Sequence, residues 1–232
     1  RRKRRSRTRR WTGTSEENEG KGTKLKARRA SCTLEHGLET WLTGIREWGR
    51  TLPRQQPPTR AMGKEVYTDG SALHPKDGQL RVAAWAAAWR DDNGEWQVMH
   101  GPCPGEHTAA WVEIAALVAV CRATLGTCMI TSDCKSAVEG FRAIRRKGCL
   151  PQHLSVGPCS DLWMMLSIAM ATKPDIDIRW MPSHCTVEEL CARRGTREDW
   201  EGNDQSDSAA KAGVMPLAPP RALFHLRAFP RD

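Results

Sequence analysis

Four acidic residues, each in a different local setting, constrain the fold of this chain more than any other feature. Asp69 and Asp133 each end a short apolar, β-prone run, in VYTDGSA and CMITSDCKSAV. Strand ends are where an α/β sheet presents side chains to a ligand. Glu113 and Asp207 lie near the starts of Ala-rich helical segments. Two strand-end and two helix-borne carboxylates predict an all-oxygen site for hard divalent cations such as Mg²⁺, which can clamp the attacking and leaving oxygens of a phosphodiester.

The order of periodic segments predicts an α/β fold with a mixed five-stranded sheet flanked by helices. Asp91-Asp92-Asn93-Gly94 predicts a hairpin turn, and Thr108 is the expected N-cap of the first helix. The segment LRVAAWAAAWR is ambiguous, because Ala prefers helix, but its position between two hairpin signals favours a strand. The expected strands are 64–69, 80–89, 95–100, 128–132 and 175–181, and the expected helices are 108–123, 135–147, 160–171 and 205–212.

Five short motifs, in this order along the chain, resemble the type 1 ribonuclease H domain. They are the strand-borne DGS at Asp69, the helical E-x-x-A at Glu113, the strand-end S-D at Asp133, WMPSH ending at His184, and D-x-x-A-K at Asp207. A single D-G-S is usually just a turn, but five motifs on the expected elements form a strong combined signal. The resemblance covers roughly residues 64–213. It implies a ribonuclease H-like fold and hydrolysis of the RNA strand of RNA–DNA hybrids.

The resemblance also implies a role for each acid in catalysis by two Mg²⁺ or Mn²⁺ ions. Asp69 would bridge both metals, Glu113 and Asp133 would complete the site that activates the nucleophilic water, and Asp207 would hold the other metal near the leaving 3′ oxygen. Asp204 competes with Asp207 for this last role. Asp207 is preferred because the family pattern places the acid directly before a run of small residues.

His184 is the expected proton carrier, since a histidine titrates near neutral pH and can serve the leaving group or the departing product. The WMPSH motif looks like the family's last strand running into its histidine loop. After His184 the chain inserts CTVEELCARRGTREDWEGN, which is longer than is usual in the family. Whether His184 reaches the acids across this insertion is left open.

Contacts to nucleic acid are less well marked. The polar amide pair that precedes the helical Glu in the family is replaced by Ala109 and Ala110. The basic end of the second predicted helix could follow the phosphates of the DNA strand, or its cations could simply complement the helix dipole, and the two interpretations have equal weight. The candidate contacts are Ser71, Thr108, Arg142, Arg145, Arg146 and Lys147.

Charge and proline content divide the chain into three parts. Residues 1–60 contain 17 Lys/Arg and 6 Asp/Glu, whereas the rest is nearly balanced. This first part begins RRKRRSRTRR and is expected to be a largely disordered extension with one short amphipathic helix within 35–49. It is interpreted as a nucleic-acid or nuclear-import patch, or else as a solvated charge run. Residues 61–213 would form the ribonuclease H-like domain and residues 214–232 a Pro-rich tail.

Nine cysteines show neither a C-x-x-C pair nor metal-ligand spacing, so reduced thiols in an intracellular protein are expected. The nucleus is favoured if the basic extension is an import signal. No membrane partner is expected, because no stretch approaches the length of a membrane span. A domain of this kind, with a basic extension and no initiator Met, looks like a piece of a retroelement polyprotein that follows a reverse transcriptase. The alternatives are a free-standing cellular ribonuclease H, a non-catalytic hybrid- or RNA-binding module, and a related metal nuclease acting on DNA.

Overall fold

A computed structural model of the chain describes residues 62–219, except 78–79, 104–106 and 174. The predicted basic extension, the amphipathic helix within 35–49 and most of the Pro-rich tail lie outside the described residues. Residues 62–218 belong to one compact unit.

Three antiparallel strands open the sheet: β1 (Glu65–Leu73), β2 (Val82–Arg90) and β3 (Trp96–Pro102). The predicted hairpin turn between β2 and β3 is confirmed, since Asp91 Oδ1 accepts hydrogen bonds from the backbone N–H groups of Asn93 and Glu95 at 2.9 and 3.0 Å. The Ala-rich segment is a strand, as predicted. This strand, β2, pairs with β1 on one side and with β3 on the other, and it is buried on both faces of the sheet. Pairing and burial together outweigh the helical preference of its alanines.

Two parallel strands, β4 (Cys128–Ser132) and β5 (Ile176–Trp180), complete the sheet in the order β3-β2-β1-β4-β5. This mixed five-stranded sheet confirms the predicted fold class. In the β1–β4 ladder Thr68 pairs with Ser132, which ends β4. The chain positions that follow these two residues are therefore adjacent at one edge of the sheet.

Helices cover both faces of the sheet. The helices are α1 (Ala109–Ala123), α2 (Lys135–Lys147), α3 (Gln152–Ser155), α4 (Ser160–Ala171), α5 (Val187–Ala192) and α6 (Arg197–Val214), followed by a 3₁₀ turn at Met215–Leu217. The predicted N-cap of α1 is confirmed, since Thr108 Oγ1 accepts a hydrogen bond from Trp111 N at 3.1 Å. Trp163 of α4 is buried and packs against Gly140 of α2. It is therefore a core residue.

The closing helix begins earlier than predicted. The sequence indicated a helix over 205–212, but α6 starts at Arg197, because Thr196 caps it. Thr196 Oγ1 accepts from Asp199 N at 3.0 Å, and Asp199 Oδ2 accepts from Thr196 N at 2.8 Å. These reciprocal bonds satisfy two backbone donors at the start of the helix. The expected loop insertion is therefore α5 together with the first turns of α6.

The helix α6 packs closely on β1 at a glycine. Gly202 lies against the ring of the buried Tyr67, where an added Cβ would come within 2.2 Å of Tyr67 Cδ2. On the opposite face α1, α2 and α4 form the main apolar core. Val214 and Leu217 are also buried, so the first residues of the predicted tail pack on the domain. Within the described ranges, the helices are too short or too polar to cross a membrane.

Candidate active site

The strand register brings Asp69 and Asp133 together. Because Thr68 pairs with Ser132 across the parallel β1–β4 ladder, the next residue of each strand projects from the same edge. Asp133 follows the end of β4, as predicted. Asp69 does not end its strand, as the sequence had indicated, because β1 continues to Leu73. The Gly-Ser-Ala run after Asp69 resembles a turn, but it pairs with the antiparallel strand β2.

Gly70 allows α1 to bring Glu113 to the same edge. A Cβ at residue 70 would lie 2.3 Å from Val112 Cγ1 and 3.1 Å from Glu113 Oε1, both on α1. A larger residue would therefore push the helix away from the strand. The backbone N–H of Gly70 also donates to Asp69 Oδ1 at 2.7 Å. One glycine thus fixes the orientation of one carboxylate and makes room for another.

The three carboxylates form a compact cluster in an open cleft. Asp69, Glu113 and Asp133 each offer a carboxylate oxygen, and these three oxygens lie within 4.8 Å of one another. Asp69 and Glu113 are each 9% exposed, and Asp133 is half-buried. The cleft has a volume of about 380 Å³, and its polar lining includes Asn203, Asp204, Asp207 and His184.

Burial and mutual repulsion make these carboxyl groups hard to ionise. Burial raises the pKa of Asp69 to about 7, and the nearby charges of Asp133 and Asp207 act in the same direction. Burial likewise raises the pKa of Glu113 well above its usual range, with further increases from Asp69 and Asp133. The pKa of Asp133 is also raised by burial, although His184 opposes that change. A bound cation would lower the pKa of all three carboxyl groups.

The residues of the cluster fit a divalent metal ion. Oxygen ligands from carboxylates suit Mg²⁺ and Mn²⁺, and three acids at this spacing can share one cation. Glu113 Oε2 is buried and accepts no hydrogen bond from any residue that the structure describes. Such an orphaned oxygen is costly when ionised unless a cation compensates it.

Asp207 and Asp204 both line the cleft, but their surroundings differ. Asp207 is half-buried, lies near enough to Asp69 to raise its pKa, and accepts a hydrogen bond from Lys211 Nζ at 2.5 Å. Asp204 is exposed. Asp207 lies in the middle of α6 and not near its start, contrary to the prediction, because the helix begins at Arg197. Asp207 lies outside the close cluster of three.

His184 lines the same cleft as the acids, although the chain after it is long. The inserted residues fold back as α5 and as the start of α6, so they do not carry the histidine away. Its side chain is exposed, and its charge lowers the pKa of Asp133. The backbone of His184 has a φ of +53°, in the left-handed region that residues with side chains rarely adopt.

Comparison with models of known protein families identifies the family of this domain. The model of the RNase H family matches residues 62–215, which is about two thirds of the chain and includes all four acids and His184. The chain belongs to the RNase H family. No curated protein gives a significant match to it.

Solved structures with a similar fold include proteins of foamy viruses. The solution structure of the PFV RNase H domain is 23% identical with a TM-score of 0.50, and the match covers 66% of this chain and 95% of that one. A foamy viral protease-reverse transcriptase in complex with dsDNA is 22% identical with a TM-score of 0.47, covering 67% and 96%. The same kind of protein in complex with RNA/DNA hybrid is 19% identical with a TM-score of 0.47, covering 72% of this chain but 22% of that one. The similarity to the PFV RNase H domain indicates a shared fold and nothing about function.

The structure places the predicted nucleic-acid contacts of this RNase H domain in two groups. Ser71 on β1 and Thr108 at the start of α1 lie near the acidic cluster in sequence and are half-buried. At the end of α2, Arg142 Nη2 donates to the carbonyl of Ile178 at 3.2 Å, and Arg145 pairs with Asp177 of β5 at 3.0 Å. Arg146 and Lys147 are exposed at the end of the same helix. Binding of nucleic acid by any of the six stays a prediction.

Several residues of the RNase H cleft were not identified from the sequence. Gly70 belongs to the DGS motif, so its close approach to α1 had a signal in the sequence, because a glycine beside a strand acid often marks such contacts. Beside the cleft, Lys211 pairs with Asp207 four residues earlier, and this helical spacing was a signal in the sequence. Trp200 and Asn203 had none, because their position in the cleft depends on how the inserted segment folds.

The stability of the metal-free RNase H domain should fall as pH rises from about 4 to 7. Asp69 titrates at 3.8 when unperturbed and at about 7 in the fold, so the native state binds more protons than the unfolded state between these values. The free energy of unfolding therefore decreases across this window and stays low above it.

Melting curves at several pH values, with and without Mg²⁺, test this expectation. Mg²⁺ should raise the melting temperature more at pH 8 than at pH 5, since the carboxylates that it binds are ionised only at the higher pH. Asp69→Asn should flatten the pH dependence and weaken the Mg²⁺ effect. Asp92→Asn, at an exposed position in the hairpin turn, is the matched control and should behave as the parent. An equal Mg²⁺ effect in Asp69→Asn would contradict the prediction.

Proposed function

We propose that this RNase H domain hydrolyses the RNA strand of RNA–DNA hybrids with the help of divalent cations. The observation that carries the proposal is the cluster of Asp69, Glu113 and Asp133, whose oxygens lie within 4.8 Å of one another in an open cleft. A domain that only bound nucleic acid would gain nothing from three partly buried, mutually repelling carboxylates. An enzyme needs them, because cations held there can meet the charge of a phosphodiester in the transition state.

The four acids would hold the cations, and Gly70 would orient one of the acids. Asp69, Glu113 and Asp133 would hold one divalent cation, and Asp207, which is close enough to Asp69 to raise its pKa, would help to hold a second. Mg²⁺ or Mn²⁺, when bound, lowers the pKa of a coordinated water and neutralises charge on the phosphate oxygens. Gly70 fixes the direction of the Asp69 carboxylate through its N–H, so the ligand is already oriented before any cation arrives.

The reaction forms one phosphorus–oxygen bond and breaks another. The water oxygen bonds to phosphorus, the bond between phosphorus and the 3′ oxygen breaks, and the products carry a 5′ phosphate and a 3′ hydroxyl. The water loses one proton and the leaving 3′ oxygen gains one. His184, which is exposed in the same cleft, would carry the proton to the leaving oxygen.

Two further surfaces would hold the hybrid. Ser71, two residues after Asp69, and Thr108, the N-cap of α1, would contact the RNA strand, where hydroxyl groups can recognise a 2′-OH. Arg142, Arg145, Arg146 and Lys147 at the end of α2 would face phosphates of the DNA strand. The basic residues 1–60 would add nonspecific affinity. The domain would act within a retroelement polyprotein, in company with a reverse transcriptase.

A cleavage assay with a labelled RNA strand in an RNA–DNA hybrid tests the proposal. The parent should cleave in Mg²⁺ and not in EDTA, and Asp69→Asn, Glu113→Gln and Asp133→Asn should each lose about 10³-fold or more of the activity, as expected when a ligand of a catalytic cation is lost. All three variants should still bind the hybrid. A parent that binds the hybrid and never cleaves it would identify a binding module, and cleavage of double-stranded DNA in its place would identify a DNA nuclease.

Asp207 and Asp204 form a matched pair for the same assay. Asp207→Asn should lose about 10²-fold or more, because the half-buried carboxylate near Asp69 would lose its charge. Asp204→Asn should stay within a few-fold of the parent, since an exposed carboxylate contributes little. The reverse ranking would assign the ligand role to Asp204.

A further inference from the structure

The segment that carries His184 has a backbone that must be held by its surroundings. His184 has a φ of +53°, a conformation that is unfavourable for a residue with a side chain. Met181, just before the segment, donates its N–H to the carbonyl of Ser132 at 3.1 Å. The sheet therefore fixes the start of residues 182–185, and their end needs a separate support.

The end of the segment is held by two contacts from the insertion. Thr186 caps α5 in a capping box with Glu189, with distances of 3.2 Å for Glu189 N to Thr186 Oγ1 and 2.9 Å for Thr186 N to Glu189 Oε2. Cys185, the neighbour of His184, accepts a hydrogen bond at its carbonyl oxygen from Trp200 Nε1 at 3.0 Å. This second bond reaches the segment from another helix, α6.

Trp200 is itself attached firmly to the sheet. Its neighbour Asp199 is 3% exposed and forms an ion pair with Arg179 of β5. Asp199 Oδ1 also accepts a hydrogen bond from the hydroxyl of Tyr67 on β1 at 3.2 Å. The first turn of α6 is therefore bound to two strands, and the indole of Trp200 extends from this turn into the wall of the cleft.

We propose that Trp200 is a positioning residue, whose indole N–H fixes the backbone beside His184 and so presents the imidazole to the reacting phosphate. The inserted residues then form part of the active site's support. This inference rests on the proposed function for its kinetic consequence, but the bond to Cys185 and its effect on the segment do not depend on activity. The alternative is that Trp200 only fills space in the wall of the cleft.

Trp200→Phe separates the two possibilities, because it removes the N–H and keeps most of the ring. Loss of one hydrogen bond that orients a proton carrier should lower kcat about five- to tenfold and leave KM within about twofold. In a His184→Ala background the same substitution should have no further effect on kcat, since it acts through the imidazole. Equal losses of kcat in both backgrounds would show that Trp200 does not act through His184 and would overturn the proposal.

Hydrogen exchange gives a readout that does not require activity. In the metal-free protein, Trp200→Phe should speed amide exchange in residues 183–187 and leave the β1 and β4 amides unchanged. Trp163→Phe is the matched control: Trp163 lies in α4 against Gly140 of α2, does not line the cleft, and should alter neither exchange in residues 183–187 nor kcat. Unchanged exchange in Trp200→Phe would overturn the proposal even if the parent proved inactive. Failure of the proposed function itself would appear separately, as absence of Mg²⁺-dependent cleavage in the parent.

Discussion

The repulsion among three partly buried carboxylates is the constraint on which the rest of the structure depends. Asp69, Glu113 and Asp133 lie within reach of one cation, and burial raises the pKa of each. Repulsion from the other members of the cluster raises the pKa of Asp69 and Glu113 further, and repulsion from Asp207 does so for Asp133. No isolated turn or helix could hold them there. The β1–β4 register sets the distance between two of them, and the missing side chain of Gly70 lets α1 bring in the third.

On the opposite face of the sheet, a second glycine also lets a helix pack closely against a strand. Gly202 lies against the ring of Tyr67, so α6 packs directly on β1 and carries Asp207 to the cleft. The same helix carries Trp200, which bonds the segment of His184. Two glycines, one on the strand and one on the helix, therefore decide whether residues from both faces of the sheet can meet at one edge. The position of the site follows from packing as much as from the acids themselves.

Much of this could be predicted from the sequence, because the relevant signals are local. Strand β4 and helices α2 and α4 have the predicted bounds, since apolar periodicity and the residues at their ends mark them. The start of α6 could not be predicted by the small-residue run alone, because it depends on the capping box at Thr196. The extension of β1 past Asp69 depends on antiparallel pairing with the next strand, β2. The placement of Trp200 depends on both the insertion and the sheet. The roles of the four acids, His184 and the six candidate contacts stay predictions until activity is measured.

Calorimetric titration with Mn²⁺ at pH 6, in two buffers with different heats of ionisation, tests the central claim most directly. If the clustered carboxyl groups hold protons in the metal-free fold, cation binding must displace them. Release of at least about one proton per protein is the predicted result, with a smaller release in Asp69→Asn, in which Glu113 still gives up its proton. Binding without proton release, or the same release from parent and Asp69→Asn, would contradict the account of the cluster as a strained site completed by a divalent cation.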